Sequence, residues 1–224
     1  MPASDLAAAQ QFYTRWARLY DLLARAPGVR SWRAHAADAL ALEPGDTVLE
    51  MGCGTGANFP YLRDRVGPGG RVVGVDLTPG MLGVARDRVA RAGWDNVAVL
   101  AGDATRPPLR GPVDAVVATF LVGMLEDPAA AVERWCDHLR PGGRLALLNA
   151  SRSPHPAAAP LNLLFRGFVR AAAPGGRTTR KSPAAELEAR VDAARDALAA
   201  RAVGHEERRL GLGYVRLVSG RLPD

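Results

Sequence analysis

Lysine is almost absent from this chain: of 29 basic side chains only Lys181 is lysine, a skew that suggests codon bias as much as function. Cysteine is nearly as scarce. Cys53 and Cys136 are the only two, which excludes a disulfide framework and leaves no spacing suited to a metal site. Long apolar runs are missing too: nothing approaches the ~20 residues needed to cross a bilayer, and the greasiest late stretch, Leu161 to Val169, is broken by Arg166. The start, Met-Pro-Ala-Ser-Asp, lacks the basic opening and apolar core of a secretory leader, so a cytoplasmic protein is expected. At 224 residues and 48% hydrophobic composition the chain suits a single domain with one substantial core.

Glycine, by contrast, is concentrated where it carries information. Residues 48 to 58 read Val-Leu-Glu-Met-Gly-Cys-Gly-Thr-Gly-Ala-Asn: a short apolar strand, an acid, and glycines at every second position. Glycine lets backbone enter conformations closed to other residues and lets a ligand approach with no Cβ in the way, so Gly52, Gly54 and Gly56 imply a loop pressed against a bound partner. With a helix beginning near Asn58, this is the strand, turn and helix of a mononucleotide-binding half-fold. A glycine turn that merely closes a strand-to-helix connection is the plainer alternative.

The spacing of Gly52, Gly54 and Ala57 also satisfies a dinucleotide fingerprint, and an NAD(P)-dependent oxidoreductase is the competing reading, with a catalytically silent cofactor-binding partner protein as a further alternative. Charge argues against it. A pyrophosphate wants N–H donors and a helix N-terminus, whereas Glu50, two residues before the first glycine, suits a cationic ligand. Asp76, 24 positions after Gly52 at the end of the next strand, is placed to accept ribose hydroxyls and does not discriminate. Asp103, after a third strand, stands where an adenine amino group could donate to it.

Five segments in order now make a resemblance plain: Glu-Met-Gly-Cys-Gly-Thr-Gly (50–56), Gly-Val-Asp-Leu-Thr-Pro-Gly-Met-Leu (74–82), Gly-Asp-Ala (102–104), Val-Asp-Ala-Val-Val-Ala-Thr (113–119) and Leu-Arg-Pro-Gly-Gly-Arg-Leu (139–145). Residues 43–150 resemble the core of the class I S-adenosylmethionine-dependent methyltransferases, of the broad group containing quinone and phospholipid methyltransferases. The resemblance implies an α/β, Rossmann-like fold: a mostly parallel seven-stranded sheet with an antiparallel edge hairpin, helices on both faces and an N-terminal helical lid. It also implies that Glu50, Gly52, Cys53, Gly54 and Gly56 hold the methionine end of the cofactor, Asp76 the ribose, and Asp103 with Ala104 the adenine edge. Leu77 and Met81 would pack on the adenine ring, with Met81 equally readable as a helix core residue, and Thr119 and Phe120 would flank the methyl donor. Cys53 reads as a packing choice rather than a reactive thiol.

Along the chain, residues 1–42 are expected to form the helical lid, 43–150 the cofactor-binding core, 151–183 a substrate-side insertion, and 184–224 a helix and edge hairpin. The predicted elements of the core are strands at Thr47–Met51, Arg71–Val75, Val97–Leu100, Val113–Phe120 and Arg144–Ala150. Helices are predicted at Ala34–Leu42, from Asn58 to Val66, from Thr78-Pro79 to near Gly93, and from about Pro128 to Leu139, with Arg140-Pro141-Gly142-Gly143 as a turn. A short helix over Leu161–Ala172, a long one over Ala184–Ala202 and strands at His205–Leu210 and Tyr214–Gly220 complete the pattern.

Methyl transfer from a sulfonium is an in-line displacement whose activation lies in the donor, so the protein mainly brings the partners together and needs no catalytic triad. A general base matters only where the acceptor must lose a proton. His155, in the loop after the fifth strand, and Tyr13 are the candidates, an exposed loop histidine without a role being the plainer reading of His155. Tyr13, Ala17, Tyr20 and Asp21 resemble the Y-x-x-x-A-x-x-Y-D pattern of a lid helix in related enzymes, which implies that the tyrosine hydroxyls reach the cofactor carboxylate or the acceptor; an aromatic packing stripe is the alternative. No metal is indicated. The segment after Thr119 lacks the Asn/Asp-Pro-Pro-aromatic motif of amino-methylating nucleic-acid enzymes, and no RNA-binding module accompanies the core, so no nucleic-acid partner is expected. Residues 1–150 balance 16 arginines against 16 acids, while 151–224 hold 13 basic side chains against 7 acids. That excess suits an amphiphilic or anionic small-molecule acceptor, or peripheral contact with an acidic membrane surface; a solvated, arginine-biased surface is the plainer reading.

Overall fold

The computed structural model describes residues 17, 21, 27–109, 111–155 and 183–224. Within them the chain runs α1 (Pro27–Asp38), β1 (Thr47–Met51), α2 (Phe59–Val66), β2 (Arg71–Asp76), α3 (Pro79–Ala92), β3 (Val97–Ala101), β4 (Val113–Thr119), α4 (Pro128–Asp137), β5 (Leu139–Ala150), α5 (Pro183–Arg201), β6 (Val203–Leu210) and β7 (Val215–Arg221). The seven strands form one sheet in the order β3-β2-β1-β4-β5-β7-β6. Neighbours from β3 to β5 are parallel, while β7 runs antiparallel to both β5 and β6. This is the α/β architecture expected, with β7 inside the sheet and β6 alone forming that edge.

Alternation along the strands sends side chains to two cores. Val48, Val72, Ala115, Val117, Ala146, Leu148 and Leu217 meet α1, α2 and α3 through residues such as Ala37, Phe59, Leu62 and Leu82. Leu49, Met51, Val73, Val116, Leu145, Leu147 and Val218 meet α4 and α5 through Val132, Trp135, Val191 and Leu198. Phe59 and Trp135 are fully buried, each contributing about 1.5–3 kcal/mol by leaving water. Glu50 and Thr119 share strand parity with the first set, and this places them on the α1–α3 side of the sheet.

Local chemistry sets most helix ends. Asp127 accepts from the Ala130 N–H at 3.0 Å, capping α4 ahead of Pro128. Gly93, in the left-handed conformation (φ 63°, ψ 34°), ends α3. Thr78 gives no side-chain cap; instead its N–H donates to Asp76 Oδ1 at 2.8 Å.

The boundaries of α1, β5 and α4 depart from expectation, and β6 starts at Val203, two residues before the predicted His205. The helix predicted over Ala34–Leu42 starts at Pro27 and ends at Asp38, after which Leu40 and Ala41 bond back three residues and Ala41 turns left-handed (φ 45°). Leu40 is still buried, so a turn supplied an apolar residue that mimics a helical stripe. The fifth strand begins at Leu139 instead of Arg144, because its register with β4 jumps from Val113–Leu139 to Ala115–Arg144 and the Arg-Pro-Gly-Gly segment bonds to the C-terminal residues Leu222 and Pro223. In consequence α4 stops at Asp137, two residues short of Leu139. The helix predicted over Leu161–Ala172 lies outside the described residues.

Candidate active site

In the strand order the chain reverses direction of winding between β1 and β4, and in open α/β sheets the crevice beyond the carboxyl ends of such a strand pair is where ligands bind. The glycine loop leaves β1 there. Gly52 has φ 64°, and a Cβ on it would stand 2.9 Å from Leu121, the residue two beyond β4. Gly56, at φ 70°, faces the Phe59 ring, 2.5 Å from where its Cβ would be. Neither position admits a side chain without displacing a neighbour or straining the backbone.

The loop is not built to receive a diphosphate. The Cys53 N–H donates to Val75 O at 3.0 Å, Gly56 N–H to Cys53 O at 2.9 Å, and Gly54 N–H to Asp76 Oδ2 at 2.9 Å. Three amides that a phosphate would need are already spent. The bond from Gly54 also clips the end of β2 to the loop, orienting Asp76 through both of its oxygens together with Thr78.

Beneath the loop lies a buried polar cluster drawn from four elements. Glu50 is 1% exposed; its Oε1 accepts from Asn58 Nδ2 at 2.6 Å, and its Oε2 has no partner among the described residues. Asn58 also donates to Thr119 Oγ1 at 2.9 Å. Arg33, reaching over from α1 and 4% exposed, donates through Nη1 to Asn58 Oδ1 at 2.9 Å and Thr119 Oγ1 at 3.1 Å, while its guanidinium lies over the Phe120 ring, 5.5 Å from the centroid. Phe120 itself takes φ 57°, a strained backbone for a bulky residue at the end of β4. Burial dominates the ionisation of Glu50 and pushes its carboxyl up to about 8, against the opposing pull of Asn58 and Arg33.

A second cluster ties the N-terminal segment to the loop. Asp21 is buried, accepts from Thr55 Oγ1 at 2.8 Å and pairs with Arg88 of α3, whose Nε also donates to Thr55 O at 3.0 Å. At the far side of the crevice Asp103 is held in an Asx turn, its Oδ1 accepting from the Thr105 N–H and Oγ1, both at 2.8 Å. Ala104 is anchored through its carbonyl, which takes the Trp135 indole N–H at 2.7 Å.

Of the residues singled out by sequence, Glu50, the glycines, Asp76, Asp103, Ala104, Thr119 and Phe120 all gather at the carboxyl edge of the sheet. Leu77 is exposed there, while Met81 is buried. Cys53 is buried among Gly74 and the loop, and desolvation raises its thiol well above the usual range, which suits packing rather than reactivity. His155 is exposed on the strap after β5, its N–H donating to Ser153 Oγ at 3.2 Å. Tyr13 and Tyr20 lie outside the described residues. Sequence reasoning missed Arg33, Asn58, Thr55 and Arg88. Asn58 was findable, since a polar residue closing the glycine motif sits directly against the acid that opens it.

Comparison with known proteins agrees with this geometry. A family model described as a methyltransferase domain matches residues 48–143. A demethylmenaquinone methyltransferase from Beutenbergia cavernae is 32% identical over 195 residues, covering 85% of this chain and 77% of that protein. The chain belongs to the class I S-adenosylmethionine-dependent methyltransferases. Its cofactor is therefore S-adenosylmethionine, and the buried acid with an unsatisfied oxygen beside a loop whose amides are spent fits a cationic nucleoside better than a dinucleotide. Nocamycin O-methyltransferase from Saccharothrix syringae is 36% identical over 139 residues, which make up 60% of this chain and 48% of that one. The chain thus spans about half the length of that relative, and 28% of an arsenite methyltransferase from Halobacterium salinarum. Among solved structures, a chain of the Haloferax volcanii complex containing the Trm112 methyltransferase activator superposes with TM-score 0.68 at 22% identity, covering 96% of this methyltransferase and 98% of that chain. A methyltransferase from Aquifex aeolicus gives 0.56 at 24%, covering 85% and 89%. Both share its fold. No helix among the described residues is long and apolar enough to cross a membrane.

Proposed function

We propose that this methyltransferase transfers the methyl group of S-adenosylmethionine to a small, apolar, ring-bearing acceptor. The observation that carries the acceptor class is the surface beyond β4, where Phe120 and Leu121 are half-buried and Met124 is 46% exposed, an apolar approach to the crevice suited to a flat organic molecule. Relatives whose names specify menaquinone, nocamycin or aklanonic acid chemistry point the same way. An amphiphilic or anionic character for the acceptor rests on charge. Residues 183–224 carry seven arginines against seven acids, so the excess of the last third falls wholly within 151–182, which holds six basic side chains and no acid. Contact with an acidic lipid surface would use that segment.

In this reading Glu50 faces the cationic methionine end, Asp76 accepts from the ribose hydroxyls, Asp103 accepts from the adenine amino group, and Thr119 and Phe120 border the transfer path. The bound cofactor supplies an activated methyl. The protein's contribution is alignment of the acceptor and exclusion of water, which can lower the barrier of such a displacement by about 7–11 kcal/mol. His155 and Tyr13 are the proposed bases for acceptors that lose a proton.

The test is a transfer assay with labelled methyl donor against quinols, phenols, polyketide aglycones, lipids and amines. Transfer to ring-bearing apolar compounds supports the reading; transfer only to amines or to phospholipid headgroups overturns the acceptor class. Asp76→Ala should abolish cofactor binding by calorimetry, and unaltered affinity would remove the ribose assignment.

A further inference from the structure

β6 is the outermost strand of the sheet, bonded to β7 on one side and to no strand among the described residues on the other. Its outer row of N–H and C=O groups can pair with a further strand, a hazard that sheet edges commonly block with lysine, proline or a bulge. β6 reads Val-Gly-His-Glu-Glu-Arg-Arg-Leu, with neither lysine nor proline, and its one register irregularity lies before Glu206. Its charges change sign at the midpoint, Glu206 and Glu207 preceding Arg208 and Arg209. Such an edge repels a strand that cannot neutralise it and selects one that can.

The order acid, acid, base, base is its own complement when the strand is reversed. An antiparallel pair of identical strands has its dyad at a residue, which here sets Arg208 against Arg208 or Glu207 against Glu207. In both registers Glu206 meets Arg208 of the second copy and Glu207 meets Arg209, one couple directly opposite and the other diagonal, within reach of such long side chains. The dyad is normal to the sheet, so each face stays on its own side, and the charges are sorted accordingly. Arg208 is paired with Leu217 of the core under α1, where Leu210 also packs, which puts Glu206 and Arg208 on the α1 side. Glu207 is paired with Val218 of the other core, which puts it with Arg209 on the α5 side. Glu206 and Arg208 are exposed and form no ion pair within the chain among the described residues. Glu207 is shared among Arg195, Arg209 and Arg216 at 3.5 to 4.0 Å, a surplus of positive charge that a second Glu207 would offset.

The ends of the strand are complementary as well. Of the large hydrophobic side chains exposed among the described residues, Leu77 and Met124 lie at the crevice, while Val203, 48% exposed, and Leu212, 77% exposed, stand at opposite ends of β6. Leu212 is fixed in place: its left-handed backbone (φ 57°) is held by Ser153 Oγ, which donates to its carbonyl at 2.5 Å. Reversing one strand against the other carries Val203 of each copy toward Leu212 of its mate. We propose that β6 is the contact surface for a second copy of this chain, two β6 strands pairing antiparallel so that the two sheets become one. β6 runs parallel to β5, since β7 is antiparallel to both, so the two crevices point in opposite directions and both stay open. The dimer goes beyond the methyl-transfer reading and does not depend on the acceptor. One strand pair and two apolar contacts make a small interface, with association expected at about 10–100 μM.

Sedimentation velocity on the full chain, from about 1 to about 500 μM at low ionic strength, should show monomer passing to dimer, with the midpoint moving to higher concentration as salt screens the charge couples. Glu206→Arg and Arg208→Glu each set like charges against each other in two couples and should raise that midpoint at least about tenfold. Both side chains are exposed, so neither change endangers the fold. Mixed in equal amounts, the two variants should dimerise at the wild-type midpoint, because the introduced arginine then faces the introduced acid. A wild type that stays monomeric to the highest concentration overturns the proposal. A dimer whose midpoint neither substitution moves overturns it too, placing the contact on another face, and variants that fail to recover on mixing overturn the antiparallel pairing.

Discussion

Replacing Glu50 by glutamine should stabilise the ligand-free protein while crippling its site. Glu50 is held near 8 in the folded state against 4.5 for an unperturbed glutamate, so between those values the folded chain keeps a proton that the unfolded chain has released. Stability must then fall as pH rises through this window: the contribution is fully present below 4.5 and is lost progressively until the folded carboxyl ionises near 8. The slope is about 1.4 kcal/mol per pH unit, giving a deficit of about 3 kcal/mol by about pH 7. Glutamine keeps an oxygen for Asn58 Nδ2 and carries no such liability, so Glu50→Gln should unfold about 6–12 °C above wild type at about pH 7. Urea unfolding of both proteins without cofactor, from about pH 4.5 to about pH 8, isolates Glu50, since every other titration is common to the pair. The curves should coincide at the acid end and diverge steadily toward the alkaline end. Parallel curves would refute the reasoning, because they would mean that Glu50 is already ionised and solvated in the folded state.

The remaining predictions concern the parts that hold the crevice in shape. Gly56→Ala should lower stability by about 1–3 kcal/mol, from a strained left-handed backbone and a clash with Phe59; an unchanged thermal midpoint would contradict it. Trp135→Phe removes the indole donor from Ala104 O, leaving a buried carbonyl unsatisfied at about 1–3 kcal/mol, with weaker binding of adenosine as the second readout. Asp21→Ala severs both the Thr55 bond and the Arg88 pair, and cofactor affinity measured by calorimetry should fall about tenfold.

Much of the fold was legible because parallel strands buried on both faces read as short apolar runs, and because glycine and proline mark the turns between them. The boundaries that went astray share one cause. Leu40 and the Arg-Pro-Gly-Gly segment owe their conformations to partners far away, the apolar core under α1 and the chain's last residues, which local periodicity does not record. The charge pattern behaved similarly. Arg190, Arg195, Arg201, Arg216 and Arg221 each pair with an acid, so a count of basic residues over the last third overstated how much of it attracts an anion.

The sequence by itself determined the strand, loop and helix that cradle a nucleoside and the acids that ring it, since each is a local pattern with a local physical reason: glycine where no Cβ fits, an acid at the end of a strand. Only the tertiary structure decided what Glu50 faces. Asn58, Arg33 and Thr119 come together across separations of 25 to 86 residues, and no spacing rule foretells which polar side chains two helices and two strands will press into one dry space. Burial there turns an ordinary carboxylate into a proton-bearing acid and takes an arginine out of water. Those two consequences follow from desolvation, a property of the packed molecule that no single segment of the chain possesses.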